Sequence, residues 1–279
     1  MTTYATTGAS GQLGSLAADL LLERVDATDV VLLSRSPERL DRPGATVRAA
    51  DFDDPATLAT AFEGVDELLL VSTDAVGSRV EGHRRAIEAA RAAGVRRVLY
   101  TSVVDPSADN PAAVAPDHAA TEQDLRDSGL RWTFLRNNLY ADMQADAVAQ
   151  AAATGTYVTN TGDAGAAYVT RADCAAAAVG ALLSRDLDDT ALDVTGPRAV
   201  TAADVAALAT ARRGEAVEVV HVDDAAYVAG LEQAGLPTPV AQLLASFGTA
   251  IREGRLAGVT SAVEDLAGRP ATPLAAVVA

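Results

Sequence analysis

The segment Thr7-Gly8-Ala9-Ser10-Gly11-Gln12-Leu13-Gly14 is where residue type and spacing point most directly to chemistry. It follows a short apolar run and opens a helix-like one, the setting in which a glycine loop cradles phosphate. Gly8 permits a tight turn. Gly11 lets backbone approach a pyrophosphate at the helix N-terminus, and Gly14 allows close packing of helix on strand. A nucleotide ligand is therefore expected here. The next strand speaks to which nucleotide. A carboxylate at its end would bind a ribose 2′-hydroxyl, but Val30-Val-Leu-Leu-Ser34 ends in Arg35, with Arg39 one turn on. A cation there suits a 2′-phosphate, which a carboxylate would repel. The expectation is NADP(H) rather than NAD; the bland alternative is a solvated surface arginine.

All 22 basic residues are arginine. Without lysine there is no Schiff-base chemistry and no Tyr-x-x-x-Lys acid/base dyad. The region where such a dyad would stand reads Asp117-His118-Ala-Ala-Thr-Glu122. His118 and Glu122 are four apart and share a helix face. They read either as a proton relay, the carboxylate raising the histidine pKa, or as a helix-start histidine beside a glutamate that caps or salt-bridges locally. His83 and His221 stand alone and read as structural or surface residues. Cys174, the single cysteine, lies in an apolar run and reads as a small core residue. No His/Cys/Asp set has metal-ligand spacing, so no metal is expected, and no Gly-x-Ser-x-Gly elbow is present. A missing dyad suits hydride transfer to an acceptor needing little proton assistance, such as a quinone or cationic dye. It also suits a protein that binds nucleotide and does no chemistry.

The elements that must position these residues alternate. Strand-like runs at Tyr4–Thr7, Val30–Leu33, Thr46–Ala50, Leu68–Val71, Arg97–Thr101 and Trp132–Leu135 are separated by helical stretches Gln12–Glu23, Pro55–Phe62, Arg79–Ala93 and Asp117–Ser128. Connections this long exclude hairpins and predict an α/β doubly wound parallel sheet, a Rossmann fold, with ligands beyond the carboxyl ends of the strands. Those ends carry Thr7–Gly14, Ser34-Arg35, Asp51-Phe52, Ser72–Asp74, Thr101-Ser102 and Asn137-Asn138. Beyond about residue 140 the pattern loosens. Helices are expected near Asp142–Ala153, Ala172–Leu183, Ala202–Arg212, Asp224–Ala234 and Pro239–Glu253. Strands are expected near Tyr157–Asn160, Leu192–Val194 and Val217–Val222. This divides the chain into a nucleotide-binding part, 1–136, and a part, 137–279, that completes the sheet and forms a smaller, mainly helical lobe covering the substrate.

The formal charge is −16, with 38 acidic residues, so the surface repels phosphate backbones and anionic lipid. Nucleic-acid and membrane partners are not expected. Apolar stretches fall short of a membrane span, and the N-terminus lacks a basic leader, which reads as cytoplasmic. A homodimer is the commonest default.

Taken in order, several motifs resemble the NmrA-like, atypical short-chain dehydrogenase family. They are Gly8-Ala-Ser-Gly-Gln-Leu-Gly14, Arg35 with Pro37, Ala50-Asp51-Phe52, Ala93-Gly94-Val95 leading to Tyr100-Thr101-Ser102, and His118 to Glu122. Leu135-Arg136-Asn137 with Tyr140 and Val169-Thr-Arg-Ala-Asp173 complete the set. Within the family the chain is similar to bacterial NADPH:quinone oxidoreductases and to triphenylmethane reductases. The resemblance implies that Ser10 to Leu13 hold the pyrophosphate through backbone amides and that Arg35 binds the 2′-phosphate. Asp51-Phe52 would border the adenine, and Ser72-Thr73-Asp74 the ribose and nicotinamide side. Asn137 to Asp142 would frame the nicotinamide and acceptor; Tyr140, in that frame, joins His118 and Glu122 as a candidate catalytic residue. The loop Asp105 to Pro116 departs from the relatives and borders the acceptor. The implied activity is hydride transfer from NADPH to a quinone-like planar acceptor. The alternatives are a triphenylmethane-type dye as acceptor, or a non-catalytic NADP(H) sensor acting through protein partners.

Overall fold

Apolar runs with no polar alternation cannot sit at a half-solvated sheet. In the computed structural model, which describes residues 1–278, they form the inner strands of a parallel sheet buried on both faces. The elements run β1 (Tyr4–Thr6), α1 (Gln12–Leu22), β2 (Val30–Ser34), β3 (Thr46–Ala49), α2 (Pro55–Ala61), β4 (Glu67–Leu70), α3 (Arg79–Ala92), β5 (Arg97–Val103), α4 (Ala115–Asp127) and β6 (Arg131–Asn137). They continue with α5 (Gln144–Thr154), β7 (Thr156–Thr159), β8 (Gly165–Ala166), α6 (Arg171–Leu183), β9 (Thr190–Val194), β10 (Val200–Thr201) and α7 (Ala202–Arg213). The chain closes with β11 (Glu218–His221), α8 (Asp224–Gln233), α9 (Thr238–Arg252), α10 (Ala262–Ala267) and α11 (Leu274–Val277).

The main sheet has seven strands in the order β3-β2-β1-β4-β5-β6-β9, with every neighbouring pair parallel. Strand order reverses between β1 and β4, which opens a crevice at their carboxyl ends. Because side chains alternate along a strand, one strand feeds two cores. Leu32, Leu69, Leu99 and Leu135 pack under α1 and α6, with Cys174 among them. Their sequence neighbours Leu33, Leu70, Tyr100 and Phe134 pack on the opposite face, under α2, α3 and α4. A third core belongs to the lobe and joins α5, α7 and α9. The lobe also holds a parallel pair, β11-β7, and an antiparallel pair, β10-β8.

Local signals set the helix ends. Asp54 accepts a hydrogen bond from the Ala56 amide with Pro55 at the first helical position. Thr201 and Asp204 form a reciprocal capping box at α7. Helix α4 begins at Ala115, two residues before the expected Asp117, because Pro116 is tolerated in a first turn. The short helices α10 and α11, and the two-residue strands β8 and β10, give no periodic signal in the sequence. Among the described residues no helix is long and apolar enough to cross a membrane, and no group of three or more His, Cys, Asp or Glu could hold a metal ion.

Candidate functional site

Loops at the carboxyl ends of six parallel strands, with part of the lobe, enclose a cavity of about 820 Å³, at the upper end of small-molecule pockets. All fifteen residues singled out for cofactor binding line it: Gly8, Ser10, Gly11, Gln12, Leu13 and Gly14 after β1, Arg35 after β2, Asp51 and Phe52 after β3, Ser72, Thr73 and Asp74 after β4, Ser102 on β5, and Asn137 and Asn138 at the end of β6. His118 and Tyr140 line it as well.

The glycine loop is built for a phosphate. Gly8 has φ +61°, which side-chain-bearing residues rarely adopt. A Cβ on Gly14 would lie 2.1 Å from the Gly8 carbonyl oxygen, so α1 sits directly on the turn. No side chain caps α1 and no acid stands in its first turn. The Gln12, Leu13 and Gly14 amides find no acceptor among the described residues, while the Gly11 amide donates to Gly8 at 2.8 Å. Uncapped amides at a helix N-terminus attract an anion. Arg35 is exposed at the rim and, among the described residues, has no carboxylate partner. Many arginines pair with carboxylates, as Arg42 does with Asp19 and Arg85 with Asp53, but among the described residues Arg35 and Arg39, one turn on, do not. A free cation persisting in so acidic a chain leaves a positive point for a second phosphate.

The neighbouring asparagines differ in what they have left to offer. Asn138 donates from Nδ2 to the Leu256 carbonyl at 3.0 Å and accepts the Leu139 amide at 2.8 Å, which ties lobe to sheet. The Asn137 Oδ1 is buried in the cavity wall with no partner. An orphaned buried acceptor asks for a ligand N–H or O–H. Amides, free cation and orphaned acceptor together fit a phosphorylated dinucleotide.

The expected His118–Glu122 relay does not form. The pair shares a helix, but His118 is drawn to partners distant in sequence, and Glu122 salt-bridges locally to Arg126, as the alternative reading expects, and to the more distant Arg136. Glu122 accepts from Arg136 Nε and Nη2 at 2.9 and 2.7 Å, from Arg126 at 2.8 Å and from Ser102 Oγ at 2.7 Å. Its carboxylate is saturated and stands outside the cavity lining. Replacing Glu122 by alanine should cost about 2–3 kcal/mol in urea unfolding, because two guanidinium groups lose a buried counter-ion while keeping some access to water. A loss under about 0.5 kcal/mol would contradict this role.

His118 is a hydrogen-bond hub. Arg79, with no lone pair to offer, donates from Nη1 to His118 Nε2 at 3.1 Å, so the ring proton sits on Nδ1, 2.8 Å from the Tyr100 hydroxyl. His83 repeats the pattern: Nε2 accepts the Thr73 amide at 3.2 Å and Nδ1 faces Thr121 Oγ1 at 3.0 Å. The Ser72 amide donates to Thr101 Oγ1 and the Gly77 amide to Asp117, so α3, α4 and β5 hold the loop that lines the cavity after β4. Burial, then the nearby Arg79 charge, pushes the His118 pKa well below its ordinary value and brings His83 to about 3. A relay would have Glu122 raise the His118 pKa; the direction is the reverse. Burial raises the Tyr100 and Tyr140 phenols above their ordinary range.

A pH prediction follows for stability. The unfolded histidines protonate near the ordinary value of about 6.5, whereas the folded ones stay neutral. Below that value the unfolded state binds more protons. Stability is therefore complete above about pH 6.5 and falls with pH toward the folded values, by up to about 1.4 kcal/mol per pH unit for each histidine. Urea midpoints between about pH 6.5 and about pH 5 should show this slope, and His83→Gln should reduce it. An unchanged slope in the variant would remove His83 from the account.

Sequence reasoning missed the wall opposite the glycine loop. Leu243 and Phe247 stand four apart on α9, and Leu256 follows that helix; with Val114 and Arg79 they complete the cavity. The i,i+4 spacing marks one helix face, but nothing local says which surface that face meets. The divergent loop Asp105 to Pro116 is anchored to the lobe by Arg255, at 3.1 Å from Asp105 and 3.3 Å from Asp109, and by the Ala113 amide on Ser246 Oγ at 3.0 Å. Its residues Ala112 and Val114 reach the cavity.

A doubly wound sheet, a glycine loop at its switch point and a free arginine after the second strand define a dinucleotide-binding protein. The chain belongs to the NAD(P)H-binding family, whose model matches residues 8–185. It is 36% identical over 274 residues to quinone oxidoreductase 2 of Escherichia coli (strain K12), covering 97% of this chain and 96% of that protein. The solved structure of the E. coli NADPH-dependent quinone oxidoreductase complexed with NADPH is 35% identical and superposes with a TM-score of 0.95, covering 99% of this chain and 98% of that one. The Citrobacter sp. triphenylmethane reductase complexed with NADP(H) is 29% identical, with a TM-score of 0.89 over 99% of this chain and 98% of that one.

Proposed function

We propose that this protein is an NADPH-dependent oxidoreductase that transfers hydride to a planar, quinone-like acceptor. The observation that carries the reading is one continuous cavity that is phosphate-seeking at the glycine loop and Arg35 and apolar at Val114, Leu243, Phe247 and Leu256. The names of two relatives supply the acceptor class, one a quinone oxidoreductase and one a triphenylmethane reductase.

NADPH, when bound, supplies the hydride. The chain's own residues position it. The amides from Ser10 to Leu13 take the pyrophosphate, and Arg35 the 2′-phosphate. Asp51 and Phe52 border the adenine, and Ser72 to Asp74 line the ribose and nicotinamide side. Asn137 Oδ1 accepts a polar hydrogen of the cofactor. The lobe's apolar side chains and Tyr140 form a dry wall against which a flat acceptor stacks, which excludes water from the transfer. A quinone accepting hydride also needs one proton. His118 Nε2 has no proton to give and Glu122 is held by arginines, so the proton comes from solvent.

The test is NADPH oxidation by the purified protein with benzoquinones, naphthoquinones and a triphenylmethane dye, with NADH in parallel. Acceptor-dependent oxidation, faster with NADPH, is the expected result. Tight NADPH binding without oxidation by any acceptor would overturn the enzyme and leave a nucleotide sensor.

A further inference from the structure

Next to the main cavity lies a second, of about 80 Å³. Leu139, Tyr140, Met143 and Phe247 line both, so the two share a wall on the acceptor side. Tyr157 from β7, Tyr168 from the segment before α6 and Tyr227 from α8 close the far end. No charged residue lines it.

Among its polar groups, Asn160 and the Thr159–Thr161 pair bond within the protein, but three others are unspent. Tyr168 is 5% exposed and Tyr227 is half-buried, and neither hydroxyl makes a hydrogen bond to any described residue. Gln144, also on the lining, has a buried Oε1 with no partner. Burial, and then the neighbouring Tyr157 and Tyr227 phenols, hold the Tyr168 hydroxyl protonated at all ordinary pH. Two phenols and an amide oxygen, drawn from three separate elements, therefore face one small space with donors and acceptors to satisfy. The Gln144 oxygen is a buried acceptor left unpaired, which is costly, and the two phenols face the same space with hydrogen bonds to offer, so something polar belongs there.

Size and charge narrow what that is. The volume holds two or three waters, at about 30 Å³ each, or one short substituent. An anionic substituent would be desolvated with no cation to meet it. A purely apolar one would leave the phenols and Gln144 unpaired. An uncharged hydroxyl both donates and accepts, matching both kinds of group present.

We propose that this side pocket is a specificity subsite in which Tyr168, Tyr227 and Gln144 bind an uncharged, hydroxyl-bearing substituent of the planar acceptor. The proposal rests on the quinone-reductase reading above. It makes the enzyme selective for hydroxyalkyl-substituted quinones over their alkyl counterparts, which a flat apolar wall alone would not distinguish.

The test compares ethyl-naphthoquinone with hydroxyethyl-naphthoquinone on the NADPH-loaded enzyme. One or two hydrogen bonds gained should lower KM for the hydroxyethyl compound about fivefold to tenfold. In Tyr168→Phe and in Tyr227→Phe, changes that remove only an oxygen, the ratio of the two KM values should fall toward one. Calorimetric titration of the two corresponding hydroquinones into the protein–NADP⁺ complex should show the same preference without turnover. A wild-type ratio within about twofold by both readouts, or a ratio that survives in both variants, would overturn the subsite. If no quinone oxidises NADPH but the calorimetric preference holds, the activity falls and the subsite stands. If oxidation is rapid and the preference absent, the subsite alone falls.

Discussion

Replacing Gly14 by alanine is expected to weaken NADPH binding by at least about 100-fold, the scale of loss that a displacement of about 1 Å can cause at a pre-organised site. The added Cβ would stand 2.1 Å from the Gly8 oxygen, 2.6 Å from the Gly8 carbonyl carbon and 3.0 Å from the Thr7 oxygen. All three are backbone atoms, so no side-chain rotation relieves the clash. Gly8 is held at positive φ, and the loop is pinned further by the Thr7 amide on Leu69 and the Ala9 amide on Leu33, each at 3.0 Å. Helix α1 must therefore move, carrying the Gln12 and Leu13 amides with it. Overpacking of this kind also costs stability, about 1–3 kcal/mol. Calorimetric Kd for NADPH, with circular dichroism and a thermal melt as folding controls, separates the two effects. A folded Gly14→Ala variant with Kd within threefold of the wild type would show that the glycine is not required for the phosphate cradle.

The second large effect is on cofactor choice. Arg35→Ala should lower kcat/KM for NADPH about 10- to 100-fold, while kcat/KM for NADH stays within about threefold. A charge-assisted hydrogen bond contributes about 1.5–3 kcal/mol. Arg35 is solvent-exposed, which screens its charge but leaves it no competing carboxylate. Arg35→Glu should go further, because repulsion then replaces attraction. The loss should appear mainly in KM, since the 2′-phosphate lies far from the reacting atoms and contributes uniform binding. Equal losses with both cofactors would mean that Arg35 supports the loop rather than reading the 2′-phosphate. Arg39, exposed one turn on, is a natural second site for a double variant.

The Glu122 result bears on how the reaction is arranged. In a site with the Tyr-x-x-x-Lys dyad, a lysine charge faces the tyrosine acid. Here a buried acid, Glu122, stands in the helix where such a dyad would lie, with Arg126 and Arg136 around it. Ser102, on the cavity wall, donates to that same carboxylate. The cluster holds α4 against β6, and with them the floor of the cavity, rather than moving a proton. A chemistry resting on positioning and water exclusion needs such a rigid floor more than it needs an acid.

Much of the molecule was legible in the residues themselves. Continuous apolar runs separated by helical periodicity can satisfy their packing only as a parallel sheet covered on both sides. Six of its seven strands fall where strand-like segments were read, the edge strand β3 without an apolar run of its own, and the seventh, β9, falls where a short strand was expected. The glycine loop and Arg35 could be singled out as a candidate phosphate site because such a site needs only backbone geometry and a single charge, both set within a few consecutive residues, and both line the cavity. The absence of lysine needed no structure at all. What only the tertiary structure decided were the pairings. His118 and Glu122 are neighbours on α4, yet besides the local Arg126 their partners lie 39 residues away in Arg79 and 14 away in Arg136. Asn137 and Asn138 are alike in sequence, and only a carbonyl 118 residues on, at Leu256, commits one and leaves the other free. The face of α9 that meets the cavity, and the tyrosines that close the side pocket, were hidden for the same reason. Periodicity says which residues share a face, but the energy of a buried polar or charged group depends on whichever distant group the fold brings within about 3 Å of it.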